Sequence, residues 1–240
     1  MKVFAIIPAA GLGTRMSAGR PAARSKQFTE LGGQPILLHT LRRFAESPQI
    51  ERTFVALRKN EIQDFQKRLN KEPFADKVEL VEGGDNRQQS VANALDRLKA
   101  GKDDIVLVHD AVRPFVTRSV IEDVIKGAQK HDAVIAGVPA VDTIKQVDRT
   151  ADGAIITSTI PRERIVMAQT PQGFRYLLLK KAFDEAQADN FTGTDEASLV
   201  ERSGHTVAVV MGSPRNIKIT TPADMELAEF YLSAATEKKK

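Results

Sequence analysis

Three stretches of this 240-residue chain hold residue types that can handle phosphate. The first, "PAAGLGTRM", sets Gly11 and Gly13 in a turn at the end of an apolar run, and Arg15, Arg20, Arg24 and Lys26 follow close behind. Glycine lets successive backbone N–H groups approach an anion closely. Cations crowded around one turn repel one another unless an anion neutralises them, and a triphosphate has the charge to do so. The glycines alone read equally well as a tight turn; the cations decide for an anion site. Neither common nucleotide loop is present. Met16 stands at the third glycine position of the dinucleotide fingerprint, the second apolar run ends in Arg58 rather than an acid, and no G-x-x-x-x-G-K-[ST] occurs.

The second stretch is "VHDAVRP". Its Asp110 closes a continuous apolar run, where a carboxylate is costly unless it is solvated, paired or bound to a cation. Asp110 is assigned to Mg2+, with phosphates and water completing the shell, and an ion pair with Arg113 is the alternative. The third stretch, "GGDNRQQS", follows the apolar run "VELVE" and leads into a helical pattern. Gly83 and Gly84 again permit close backbone approach, although alone the segment reads as a helix cap. The histidines, His39, His109, His131 and His205, show neither metal-ligand spacing nor a nucleophilic partner.

Elements must bring these stretches to one place. "VFAIIPAA", "RTFVAL", "IVLVHDA" and "AVIAGVPA" are continuous apolar runs, the pattern of strands buried on both faces and hence of a parallel sheet. Between them, "PILLHTLRRFAES", "EIQDFQKRLNK", "RQQSVANALDRLK" and "SVIEDVIKGAQKH" carry apolar residues at helical spacing. The expected fold is α/β: a Rossmann-like, mostly parallel sheet with helices on both faces. "AAGLGTRM" then falls at a strand's C-terminal end, where ligands bind in open parallel sheets. After Pro139 the rhythm breaks. "VDTIKQVDRTADGAIITSTI" alternates as two strands around "TADG", predicting a projecting β-hairpin arm over about 139–161, an element suited to a dimer contact. The core pattern resumes in "RIVMAQTPQGF". A helix is expected from about Phe174 to Asp189, a short one after Thr194, a strand in "HTVAVVMG" and a last helix capped by Thr221.

Composition excludes several classes. Hydrophobic residues make up 42% and charged residues 28%, and the apolar runs are too short to span a bilayer. The terminal three lysines belong to a formal charge of +4; without them 32 basic residues face 31 acidic ones, which argues against a nucleic-acid binder. The chain has no cysteine, in keeping with a cytoplasmic protein. One domain over 1–235 and a basic tail over 236–240 are expected.

"PAAGLGTRM" with "KQF" resembles the signature of nucleotidyltransferases that couple an NTP to a sugar or polyol phosphate. The ordered set "GGDNRQQSVANAL", "VHDAVRPFV", "VDTIK", "TPQGF", "TGTDEASLVE" and "NIKITTPADMELAE" is similar to the 2-C-methyl-D-erythritol 4-phosphate cytidylyltransferase family, over about residues 1 to 235. The resemblance implies attack of a polyol phosphate on the α-phosphorus of CTP, with Mg2+. It implies catalytic roles for Arg15, Lys26, Arg162 and Lys218, with Arg20 or Arg24 open to share the task of Lys26 because the loop carries extra residues. It implies nucleotide binding by Ala9, Ala10, Gly11, Gly13, Gly83, Asp85, Arg87, Ser90 and Ala111. Around the polyol phosphate it places Arg113, Thr143, Arg162, Thr170, Thr194 and Lys218. It also implies a homodimer through the arm, with Thr143 and Arg162 serving the neighbouring subunit. A ribitol-5-phosphate cytidylyltransferase and a non-catalytic nucleotide-binding module are the alternatives.

Overall fold

Val3, Ala5 and Ile7 face one side of the first strand, β1 (Val3–Pro8), and Phe4 and Ile6 face the other; both sides are buried. The computed structural model describes residues 1–11 and 25–237. A single 3-10 turn (Lys26–Phe28) and a short antiparallel pair, β2 (Glu30–Leu31) and β3 (Gln34–Pro35), lead into α1 (Ile36–Ala45). The expected βα rhythm follows, with β4 (Ile50–Leu57), α2 (Lys59–Leu69), β5 (Val78–Glu82), α3 (Arg87–Arg97), β6 (Ile105–Val108) and α4 (Arg118–His131). Side-chain caps fix two of these helix starts: Asn86 Oδ1 accepts the Gln89 N–H at 2.8 Å, and Thr117 Oγ1 accepts the Val120 N–H at 3.3 Å.

After β7 (Ala133–Pro139) come the two strands of the arm, β8 (Ile144–Thr150) and β9 (Gly153–Ile160). Among the described residues they pair only with each other, and Gly153 leaves their turn at φ 144°, a conformation open to glycine. The chain returns through β10 (Val166–Arg175), α5 (Tyr176–Ala188), α6 (Glu196–Arg202), β11 (Ala208–Met211) and α7 (Pro222–Glu237). Phe174 and Arg175 end β10 rather than beginning α5, so the helix starts slightly later than its spacing predicts. The cap of α7 is as expected. Thr221 Oγ1 accepts the Asp224 N–H, and the Asp224 carboxylate accepts the N–H groups of Thr220 and Thr221 at 2.8 Å each.

The main sheet runs β11-β7-β10-β6-β1-β4-β5. All neighbours are parallel except at β10, which lies antiparallel between β7 and β6. On one face, odd residues of β1 and β6 pack with Leu41 and Phe44 of α1, Phe65 of α2 and Ile121 and Val124 of α4. On the other, Phe4, Ile6, Val106 and Val108 pack with Val91 and Leu95 of α3 and with Leu179 and Phe183 of α5. Helices thus cover both faces, and the alternation of side chains along each strand assigns every apolar residue to one layer or the other. Among the described residues no helix is long and apolar enough to cross a membrane.

Candidate active site

Strand order reverses at β1, with β4 and β5 to one side and β6 to the other. In such sheets the loops at the C-terminal strand ends diverge and leave a crevice. A cavity of about 240 Å³ lies there. Ala9, Ala10 and Gly11 line it from the segment just after β1, Lys26 from the 3-10 turn, and Gly84, Asp85, Arg87 and Ser90 from the start of α3 and the turn before it. Asp110, Ala111 and Lys218 complete the part that sequence singled out. Gly13 and Arg15, like Arg20 and Arg24, lie outside the described residues.

The backbone here is held from beneath. Ala9 N–H donates to Ala56 O at 2.8 Å, Arg58 Nε donates to Ala10 O at 2.9 Å, and the buried Gln27 amide donates to Ala9 O. Gly83 does not line the cavity; it lets α3 approach, because a Cβ there would stand 2.5 Å from Ala10 Cβ. Ser90 Oγ accepts the Gly84 N–H at 3.1 Å and donates to Asn86 O at 2.9 Å, which closes the turn.

Asp110 is the electrostatic centre. Its Oδ2 accepts from Arg113 Nε at 3.1 Å and pairs with Lys218 Nζ at 2.9 Å, while Oδ1 faces Arg87 Nε at 3.5 Å. Burial alone would raise this carboxyl, but the charges of Arg87, Lys218 and Arg113 outweigh it and hold the group far below the ordinary carboxylate range. The ion pair with Arg113, one of the two readings of this residue, is therefore present as one of three. Arg113 also donates to Asn216 O at 2.7 Å, which ties the segment carrying Lys218 to the strand end carrying Asp110.

Thr170 lies behind Asp110 rather than in the cavity. Its Oγ1 accepts the Asp110 N–H at 3.0 Å and stands 3.0 Å from His109 Nδ1, while His109 Nε2 is 3.1 Å from Arg113 O. For the neutral ring that burial favours, one proton arrangement satisfies all three contacts: the Thr170 hydroxyl donates to Nδ1, and Nε2–H donates to the carbonyl. The neutral imidazole is fully used. Thr194 is exposed at the N-terminus of α6, and Thr143 and Arg162 are exposed on or just after the arm, where Arg162 donates to Val141 O at 2.9 Å. None of these three lines the cavity.

Sequence reasoning missed Glu196, His109, Gln27 and Arg58. Glu196 grips Arg87 with both oxygens, at 2.7 and 2.8 Å, although the two lie 109 residues apart in the chain. An acid at the first position of a helix reads as a partner of the helix dipole, which hides its longer-range role. Gln27 had a usable signal, since it sits beside Lys26 in "KQF".

A glycine-bearing strand end, a crevice at the strand-order switch and basic side chains gathered round one buried carboxylate define an α/β nucleotide-binding enzyme of the nucleotidyltransferase type. The family description "2-C-methyl-D-erythritol 4-phosphate cytidylyltransferase" matches residues 3–234. A protein of that name from Acidobacterium capsulatum is 61% identical over 97% of this chain and 98% of its own length, and one from Solibacter usitatus is 49% identical over 97% and 96%. Among solved structures, the 4-diphosphocytidyl-2C-methyl-D-erythritol synthase of Anaerococcus prevotii has a TM-score of 0.83 at 29% identity, covering 97% of this chain and 96% of its own. The Francisella tularensis 2-C-methyl-D-erythritol 4-phosphate cytidylyltransferase has a TM-score of 0.80 at 37% identity, covering 96% and 99%. The chain belongs to the 2-C-methyl-D-erythritol 4-phosphate cytidylyltransferase family.

The His109 bracket yields a stability prediction. Burial lowers this imidazole from its ordinary 6.5 to about 4. Between those values the unfolded chain binds a proton that the folded chain does not, so stability is full above about pH 6.5 and falls as pH drops towards 4, by up to about 1.4 kcal/mol per pH unit. Urea unfolding between pH 7 and 4.5 is expected to show a shallower decline for His109→Gln than for wild type. Equal slopes would assign the loss to other groups.

Proposed function

We propose that the chain transfers the cytidylyl group of CTP to 2-C-methyl-D-erythritol 4-phosphate, giving 4-diphosphocytidyl-2-C-methyl-D-erythritol and pyrophosphate, a step of isoprenoid precursor biosynthesis. The observation that carries the reading is the Asp110 cluster at the mouth of the glycine turn, in a chain with this family membership. A phosphate oxygen of the polyol phosphate forms a bond to the α-phosphorus. The bond from that phosphorus to the oxygen bridging the α- and β-phosphates breaks, and pyrophosphate leaves with the electron pair. Little covalent work falls to the protein; positioning and charge stabilisation dominate.

Family membership supports the assignment of roles. The second lone pairs of the Ala9 and Ala10 carbonyls and the backbone of Asp85 offer neutral partners for a cytosine edge. Arg15 and Lys26 stabilise charge growing at the α-phosphate, and Lys218 with Arg162 holds the attacking phosphate, Arg113 standing beside Lys218 at Asp110. Arg113 holds Asp110 as well, so the carboxylate fixes the directions of both cations. Thr170 acts from behind, by fixing the Asp110 backbone.

Magnesium fits this donor set only in company with the nucleotide. Among the described residues no three acids or histidines gather as a metal site. Asp110 Oδ2 is engaged by two cations at 2.9 and 3.1 Å, whereas Oδ1 has its nearest cation at 3.5 Å and is the oxygen left for a divalent ion. Bound there beside the triphosphate, Mg2+ would neutralise phosphate charge.

The arm supports a homodimer. Ile155 is 64% and Ile156 60% exposed, and Val141 is 73% exposed near the arm's base. A hairpin with apolar side chains turned outward is unfavourable in water and suited to a second copy. Such a dimer brings Thr143 and Arg162 to the neighbouring cavity.

Pyrophosphate release on mixing enzyme, CTP, Mg2+ and the methylerythritol phosphate tests the activity, with ribitol 5-phosphate as the comparison; faster turnover of ribitol phosphate would overturn the substrate. Asp110→Asn is expected to lower kcat about 100-fold or more, the scale of a lost preorganised charge, with partial recovery at higher Mg2+. An unchanged Mg2+ dependence would leave Asp110 acting through its cations alone. Mixed dimers test the arm. Exchanging subunits of Arg15→Ala and Arg162→Ala homodimers leaves one pocket with both lesions and one with neither, so activity is expected to return towards half of wild type. No recovery after demonstrated exchange would place both residues in one subunit's pocket.

A further inference from the structure

Glu196 is the most deeply buried acid in contact with the site, at 1% exposure, and it does not line the cavity. We propose that Glu196 is a positioning residue for the transfer: by holding both Nη groups of Arg87, it keeps that guanidinium from capturing Asp110 and so leaves Asp110 to orient Lys218. The proposal rests on the cytidylyl-transfer reading above.

The distances state the competition. Arg87 gives Nη1 and Nη2 to Glu196 at 2.7 and 2.8 Å and stands off from Asp110 at 3.5 Å, whereas Lys218 meets Asp110 at 2.9 Å. A planar guanidinium prefers a two-point grip on a carboxylate. With Glu196 neutralised, Asp110 is the nearest carboxylate able to offer one. Arg87 would then swing onto it, and Lys218 would lose its anchor. Two buried acids shared between three cations hold this arrangement only while each acid keeps its own arginine or lysine.

Glu196 is itself held independently of Arg87. It opens α6, whose N-terminus is fixed by Asp195 Oδ1 accepting the Ser198 N–H at 2.9 Å. Gln172 of β10 clamps that turn from the sheet: its amide donates to Asp195 Oδ2 at 2.7 Å, and its carbonyl accepts the Ala197 N–H at 3.0 Å. Gln172 pairs across the sheet with Val108, two residues before Asp110. The carboxylate that sorts the cations is thus referenced to the same strand end as the carboxylate they serve. Asp195, the other acid near Arg87, is occupied by these contacts and cannot take over.

Glu196→Gln keeps the shape and removes the charge. It is expected to lower kcat/KM for the polyol phosphate by about tenfold or more, and Glu196→Asp, which keeps the charge on a shorter arm, by less. The decisive measurement is a double-mutant cycle. In an Arg87→Met background, Glu196→Gln should change kcat/KM by less than about twofold, because Glu196 acts through Arg87. Calorimetric affinity for the polyol phosphate closes the same cycle if turnover is too slow to read. An equal loss in both backgrounds overturns the proposal. So does Glu196→Gln with turnover within about threefold of wild type, or with a loss that only tracks the unfolded fraction in a thermal melt. Wild-type turnover in the same assay tests the cytidylyl-transfer reading separately, so failure of that reading appears there and failure of this proposal only in the variants.

Discussion

A carboxylate taken out of water is stable only if charge of the opposite sign comes with it. Asp110 meets that demand with Arg87, Arg113 and Lys218, and they arrive from three segments of the chain. The start of α3, the turn after β6 and the stretch after β11 all have to converge on the end of β6 for the charge to be covered. The surplus is positive. Three cations around one acid, with Glu196 absorbing part of the excess, leave the cluster one positive charge in surplus.

The rest of the molecule can be understood as the support of that point. A parallel sheet buried on both faces leaves its strand ends as the place where polar groups meet solvent. The reversal of strand order at β1 separates the loops above it, so that β1's glycine turn and β6's acid face one crevice. Close approach does the remaining work. Gly83 admits α3 to within contact of Ala10, and the Thr170 hydroxyl brings β10 against the Asp110 backbone.

Much of this was legible in the sequence because it follows from local pattern. Continuous apolar runs marked the buried strands, helical spacing marked the helices between them, and Thr221 with Asp224 marked the last helix start. Asp110 stood out as a charge closing an apolar run. What periodicity cannot carry is direction and partnership. A buried strand has the same composition whichever way it runs, so "RIVMAQTPQGF" revealed a strand but not its antiparallel place between β7 and β6. Glu196 is separated from Arg87 by 109 residues, and nothing local to "TDEAS" points across that gap. The duty of the Thr170 hydroxyl behind Asp110 appears only once β10 is placed.

The antiparallel strand follows from the arm. β7 runs towards the ligand edge of the sheet, and the hairpin leaves and returns at that same edge. The next strand can only re-enter the sheet by running back the other way. It does so beside β7 and next to β6, which brings its irregular stretch to the level of Asp110. Pairing with β7 breaks between Ala168 and Gln172, so the residues between leave the ladder. Gln169 uses that freedom to accept the Ser213 N–H at 3.2 Å, and Thr170 O accepts the Asn216 amide at 2.8 Å. These bonds fix the segment leading to Lys218. The projecting arm therefore also dictates how the strand behind it enters the sheet, and through that strand's break it sets the position of a cation in the site.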